Sequence, residues 1–201
     1  MDAFTLLKTD HRKVAELFDQ LESSNGKAKL QVFEQIKTEL ELHTHIEETI
    51  FYPALEEPEE THDLTLEAYE EHDVVKKLLK QLSRAKSPND EWEAQAKVLR
   101  ENVEHHVEEE ENELFPKAED ALGEEQIEVL GEQMASEKER KQGRRGAAKK
   151  SGARKSASKT KSASTAAKRA RTSKKSASKS GSKSSASKRS RSSKKSAAKK
   201  R

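Results

Sequence analysis

The 201 residues include no cysteine, which excludes disulfides, thiolate zinc sites and thiol nucleophiles and leaves nitrogen and oxygen as the metal donors. The net charge of +3 conceals a segregation: residues 1–139 hold all 37 acidic residues and 15 basic ones, while residues 140–201 hold 25 basic residues and no acidic one. No apolar run approaches the length of a membrane span, and the N-terminal MDAFTLLKTDH has neither the charged nor the apolar region of an export signal, so a cytoplasmic protein is expected.

Residues 1–122 read as four long helices. The first starts near Asp2 and stops at Ser24-Asn25-Gly26. The second runs from about Lys27 to Leu55, where Glu56-Glu57-Pro58 breaks it. Thr61 is placed to cap the third, which ends near Ala85 ahead of Ser87-Pro88. Asp90 is placed to cap a fourth that reaches about Ala121. Short connections between four long helices predict an all-α, antiparallel up-down-up-down four-helix bundle. A short amphipathic fifth helix is expected over residues 123–140. Residues 141–201 are almost entirely Lys, Arg, Ser, Ala, Thr and Gly; such a segment buries too little apolar surface to offset the entropy of ordering, so a disordered basic tail is expected.

Apolar residues at three- and four-residue spacing mark the buried face of each helix. The first reads Phe4, Leu7, His11, Val14, Leu17/Phe18, Leu21, and the second Phe33, Ile36, Leu40, His43, Glu47, Ile50, Ala54. The third reads Ala68, His72, Val75, Leu79, Leu82, and the fourth Trp92, Ala96, Leu99, Val103, His106, Glu110, Leu114. Every seam is apolar except at its middle, where His, or His with Glu, interrupts it. Buried unpaired imidazoles and carboxylates are costly, and coordination of metal cations is the economical compensation. His43 with Glu47, and His106 with Glu110, are one helical turn apart, so each pair points the same way.

The chain repeats itself. HTHIEETIFYP ends at Pro53 and HHVEEEENELFP at Pro116, with His ten and Glu six residues before each proline. DHRKVAELFDQL matches EHDVVKKLLKQL, which aligns His11 with His72. Each half therefore supplies His, His and Glu, and two equivalent half-sites suggest two ions.

These motifs resemble the hemerythrin-like, or HHE cation-binding, domain over roughly residues 1–120. The resemblance implies a non-haem centre of two iron ions, bridged by the two carboxylates and an oxo or hydroxo group and held by His11, His43, Glu47, His72, His106 and Glu110. It also implies dioxygen or a related small ligand at the metal. The iron identity rests on the resemblance alone. One departure stands: oxygen-carrying hemerythrins place two histidines a turn apart on the third helix, whereas His72 is flanked at that spacing by Ala68 and Lys76.

His45 and His105 lie off the seams and His62 lies near the start of the third helix, far from the level of His72, so all three read as surface histidines. His105 with Glu109 is a fallback register that the duplication argues against, and Glu48, Glu108, Glu109 and Glu111 read as a solvated acidic face. Tyr69, one turn before His72, reads either as an outer donor to the metal pocket or as ordinary packing. The basic segment, residues 140–201, resembles the tails of linker histones. It is expected to neutralise DNA or RNA phosphates without sequence preference, having no aromatic residues for stacking and no reading helix. Competing partners for it are anionic lipid and the acidic bundle itself. Nucleoid association is the corresponding expectation in a bacterium, and a nuclear location in a eukaryote. Three functions follow: an iron, oxygen or small-ligand binding protein tethered to nucleic acid, a di-iron enzyme consuming peroxide or nitric oxide, or a polyanion-condensing protein stabilised by its metal.

Overall fold

A computed structural model describes residues 1–144, which form helices and connections with no strand among them. The expected basic tail lies, from residue 145 onward, outside the described residues. Helix α1 spans Ala3–Ser23 and α2 Gly26–Ile46, the latter continuing through a wide turn at Glu47–Phe51 into α3, Tyr52–Leu55. Helix α4 spans Glu59–Leu82 and α5 Asp90–Glu109, which continues through Glu110–Leu114 into α6, Phe115–Leu122. Helix α7 occupies residues 124–144 and so continues past the end expected for it at residue 140. The pairs α1 with α2 and α4 with α5 are the two halves of the repeat, and the halves meet through α1 with α5 and α2 with α4. The result is the expected all-α four-helix bundle. No described helix is long and apolar enough to cross a membrane.

Local signals explain most helix ends. Asp2 caps α1, its carboxylate accepting the Thr5 N–H at 2.8 Å. Gly26 takes φ +55°, a left-handed conformation that lets the chain reverse between α1 and α2. Two caps differ from the sequence expectation. Asn89, not Asp90, accepts the Trp92 N–H at 2.9 Å, one residue earlier than expected. Thr61 lies inside the first turn of α4, where its hydroxyl donates to the Leu55 carbonyl at 2.7 Å and ties the preceding loop closed.

Both wide turns are π-helical and both begin at the seam glutamate. A proline, Pro53 or Pro116, follows each. The Glu47 carbonyl accepts the N–H of Tyr52, five residues on, and the Glu110 carbonyl that of Phe115. The extra residue rotates everything beyond it. Phe51, Tyr52 and Leu55 are therefore buried, whereas Ile50 and Ala54, the seam positions that a regular helix would give, are only half-buried.

The core is divided in two. One apolar cluster contains Leu7, Ile46, Phe51, Ala68, Leu114 and Phe115, and the other Val14, Leu40, Val75, Leu99 and Val103. The seam histidines and glutamates form the polar layer between them. Helix α7 closes the first cluster with Ile127, Leu130 and Met134. Its Gly131 lies so close to the start of α1 that any side chain would collide with the backbone of Met1, Asp2 and Ala3.

Candidate metal centre

All six seam residues meet in the polar layer, each 6% exposed or less. His11 and His43, from the first half, bring their Nε2 atoms to 3.1 Å; His72 and His106, from the second, bring theirs to 3.2 Å. Glu47 spans the two pairs, with Oε1 3.1 Å from His43 Nε2 and Oε2 3.4 Å from His72 Nε2. Glu110 Oε2 lies 3.3 Å from His11 Nε2 and 3.6 Å from His106 Nε2. Each carboxylate therefore leaves one half of the repeat and reaches into the other.

This donor set fits a pair of cations. Nitrogen and oxygen ligands each about 2.1 Å from one ion sit about 3 Å apart, which is the spacing found within each group. Both oxygens of Glu47, and Oε2 of Glu110, are buried without a hydrogen-bond donor. An uncompensated buried carboxylate is strongly destabilising, and imidazole with carboxylate suits a first-row divalent metal.

Titration behaviour agrees. Burial, and then the charge of Glu110, hold the Glu47 carboxyl well above its ordinary range. Burial also pushes Glu110 up, but His106, His11 and His43 outweigh it and hold that carboxyl low. Burial drives His43 down to about 4 and so keeps it a neutral ligand. For His11 and His106 burial pulls down, but Glu110 and the other carboxylates raise both above the usual value. Groups with raised values stabilise the metal-free fold while protonated, below their ordinary pKa, and lose that contribution as pH rises. A cation must displace the same protons. Metal uptake is therefore expected to release protons from Glu47, His11 and His106, with more released as pH falls from roughly 8 to 6. A pH-indicator titration of the metal-free chain in weak buffer checks this, and no proton release would contradict it.

The outer layer was largely missed from sequence. Three of the four seam imidazoles hydrogen-bond a carboxylate through Nδ1: His11 to Glu111 at 2.8 Å, His72 to Glu48 at 2.9 Å and His106 to Glu71 at 2.6 Å; His43 Nδ1 has no hydrogen-bond partner, with Asp10 3.7 Å away. Such partners orient an imidazole and raise its basicity toward a metal. Glu48 and Glu111 are thus not merely part of a solvated acidic face. The repeat carries the signal, because Asp10-His11 aligns with Glu71-His72, and Glu47-Glu48 with Glu110-Glu111.

Tyr52 was also missed. Its hydroxyl donates to Glu110 Oε1 at 2.8 Å and lies 3.3 Å from His72 Nε2. Burial and the charges of Glu110 and Glu47 hold its pKa well above the ordinary tyrosine value, so it keeps its proton. The matching position in the second half is Phe115, so one half-site has a phenol where the other has a phenyl ring. Tyr69 instead donates to Glu56 Oε1 at 3.0 Å and packs against Tyr52. His62 binds the Glu56 carbonyl, and His45 is not a free surface residue but meets Glu137 of α7 at 2.7 Å. The four seam imidazoles line a cavity of about 10 Å³ whose remaining walls include Val14, Leu40, Val75 and Val103.

The family model for the hemerythrin HHE cation-binding domain matches residues 2–118. A DNA nickase from Nostoc sp. is 32% identical over 147 residues, 73% of this chain. The chain spans only 42% of that relative's length. A solved structure of a hemerythrin HHE cation-binding domain-containing protein from Mycobacterium kansasii is 27% identical, with a TM-score of 0.63 over 71% of this chain and 88% of its own.

Proposed function

This chain belongs to the hemerythrin HHE cation-binding family, and we propose that its metal centre holds two iron ions and binds dioxygen or a related small ligand while the basic segment tethers the bundle to nucleic acid. His11 and His43 would hold one ion and His72 and His106 the other, with Glu47 and Glu110 supplying carboxylate oxygens to both. Iron in such a site supplies reversible binding and redox chemistry toward small molecules. The observation that carries the ligand assignment is the cavity against the four imidazoles, which has room for about one water-sized molecule and is walled chiefly by aliphatic side chains. That lining favours a small apolar diatomic over a charged or extended substrate.

The relative named as a DNA nickase supports nucleic acid as the partner of the basic segment. It does not make the buried centre a nicking site. A phosphodiester cannot reach six residues that are each 6% exposed or less. The second reading, a peroxide- or nitric-oxide-consuming enzyme, is favoured by one residue, Tyr52, which holds a proton at 2.8 Å from a bridging carboxylate.

Optical titration of the iron-loaded full chain separates the two. A spectral change that appears with oxygen and reverses on its removal is expected for ligand binding. Steady consumption of peroxide or nitric oxide without a lasting adduct supports catalysis and overturns the binding assignment.

A further inference from the structure

The repeat pairs Asp10, Leu42 and Ile46 of the first half with Glu71, His105 and Glu109 of the second. The two faces are finished differently. On the first, Leu42 and Ile46 are buried, Ile46 lies in one cluster with Ile127, Leu130 and Met134 of α7, and the Lys138 ammonium sits on both oxygens of Asp10. Here the carboxylate behind His43 already has its cation, supplied by the chain. On the second face the apolar pair is replaced by His105 and Glu109. His105 is 63% exposed, with its Nε2 3.3 Å from Glu109 Oε1 and 3.8 Å from Glu71 Oε1. Among the described residues the ion pairs of Glu71 and Glu109 are with histidine alone. Glu67 and Glu113 add further negative charge around Glu109.

This outer trio communicates with the buried layer. The second oxygen of Glu71 is the one that receives His106 Nδ1 at 2.6 Å. A crevice of about 10 Å³ is lined by Glu71, Glu109, His106 and Glu110 together with the apolar Leu64, Ala68 and Leu114. Glu110 is 2% exposed, and its Oε2 is one of the buried oxygens without a hydrogen-bond donor.

We propose that Glu71, His105 and Glu109 form an outer docking site for a divalent first-row cation, and that the buried centre is loaded from it along the crevice between Glu109 and Glu110. The inference rests on the reading of that centre as metal-binding. One imidazole and two carboxylates suit Fe(II), Mn(II) or Zn(II). Their exposure leaves a docked ion partly hydrated, so it is held loosely enough to move on by exchanging water and Glu109 for Glu110. The equivalent route through the first half is closed, because Lys138 takes the cation's place on Asp10 and α7 covers the face.

The test is anaerobic stopped-flow uptake of Fe(II) by the metal-free full chain, with final iron content measured on the same samples. The variants are His105→Gln with Glu109→Gln, and separately Glu109→Lys, which tethers an ammonium where Lys138 provides one in the first half. Glu71 is left intact because it backs His106. Both variants are expected to load about tenfold more slowly and to reach the native iron content, since local charge focusing acts on the rate. Glu108→Gln, on an exposed neighbour, is expected to load at the native rate. Native rates in both trio variants would overturn the docking site, as would a lowered final iron content, which would make the trio part of the centre itself. A native chain that takes up no iron would instead overturn the metal-centre reading.

Discussion

Replacing Glu47 with alanine is expected to strip nearly all the metal from the protein, not half of it. The reason is the placement of its two oxygens, one 3.1 Å from His43 Nε2 and the other 3.4 Å from His72 Nε2, so that a single truncation removes a ligand from both positions. Glu110→Ala is expected to do the same, because Oε2 lies between His11 and His106. Glu48→Gln and Glu111→Gln, which touch imidazoles from outside, should cost only the roughly 10–100-fold in metal affinity typical of such partners. His62→Ala, on the Glu56 carbonyl and away from the layer, should retain the native content. Metal analysis after gel filtration ranks all five. Half-occupancy in Glu47→Ala would mean two independent ions rather than a bridged pair.

The second large effect concerns the basic segment. Ending the chain after Arg144 is expected to abolish binding to duplex DNA while leaving the bundle folded and metal-loaded. Residues 145–201 carry 22 basic residues and no acidic one, whereas residues 1–144, with 18 basic and 37 acidic residues, are net −19 and should repel phosphate. A cut after Arg144 keeps the whole described length of α7, in which Lys138 sits on Asp10 and Met134 is buried. The full chain should bind unrelated duplexes alike, and its affinity should fall about 10³-fold or more between 50 and 200 mM salt if six or more phosphates are neutralised. A gel-shift salt titration of both forms reads this. Truncated protein that binds as well as the full chain would end the tethering proposal.

The seams could be read from sequence because they depend on local periodicity and on a repeat that aligns both halves. His11, His43, Glu47, His72, His106 and Glu110 are buried together, as the spacing required. Beyond Glu47 the reading slipped. A π-turn precedes Pro53, and the added residue moves burial from Ile50 and Ala54 to Phe51, Tyr52 and Leu55. A regular 3.6-residue count cannot register that shift, and so Tyr52 escaped while Tyr69, at regular spacing from His72, drew attention. The carboxylates behind the imidazoles escaped for a different reason. Glu48 lies in the wide turn after α2 but serves His72 on α4, and Glu111 serves His11 at a separation of 100 residues. Such pairings are set by how the helices cross, and composition reports them only as an acidic face. Ile46 was likewise outside the assigned seams, because it packs in one cluster with Ile127, Leu130 and Met134 of α7 rather than on the four-helix period.

X-ray absorption at the iron edge of the iron-loaded full chain tests the central claim most directly, because it reads what surrounds each ion. The arrangement of Glu47 and Glu110 between two imidazole pairs predicts nitrogen and oxygen neighbours near 2.1 Å and a second iron about 3–4 Å from the first. A spectrum with the light-atom shell but no iron neighbour in that range, from protein at full occupancy, would contradict it.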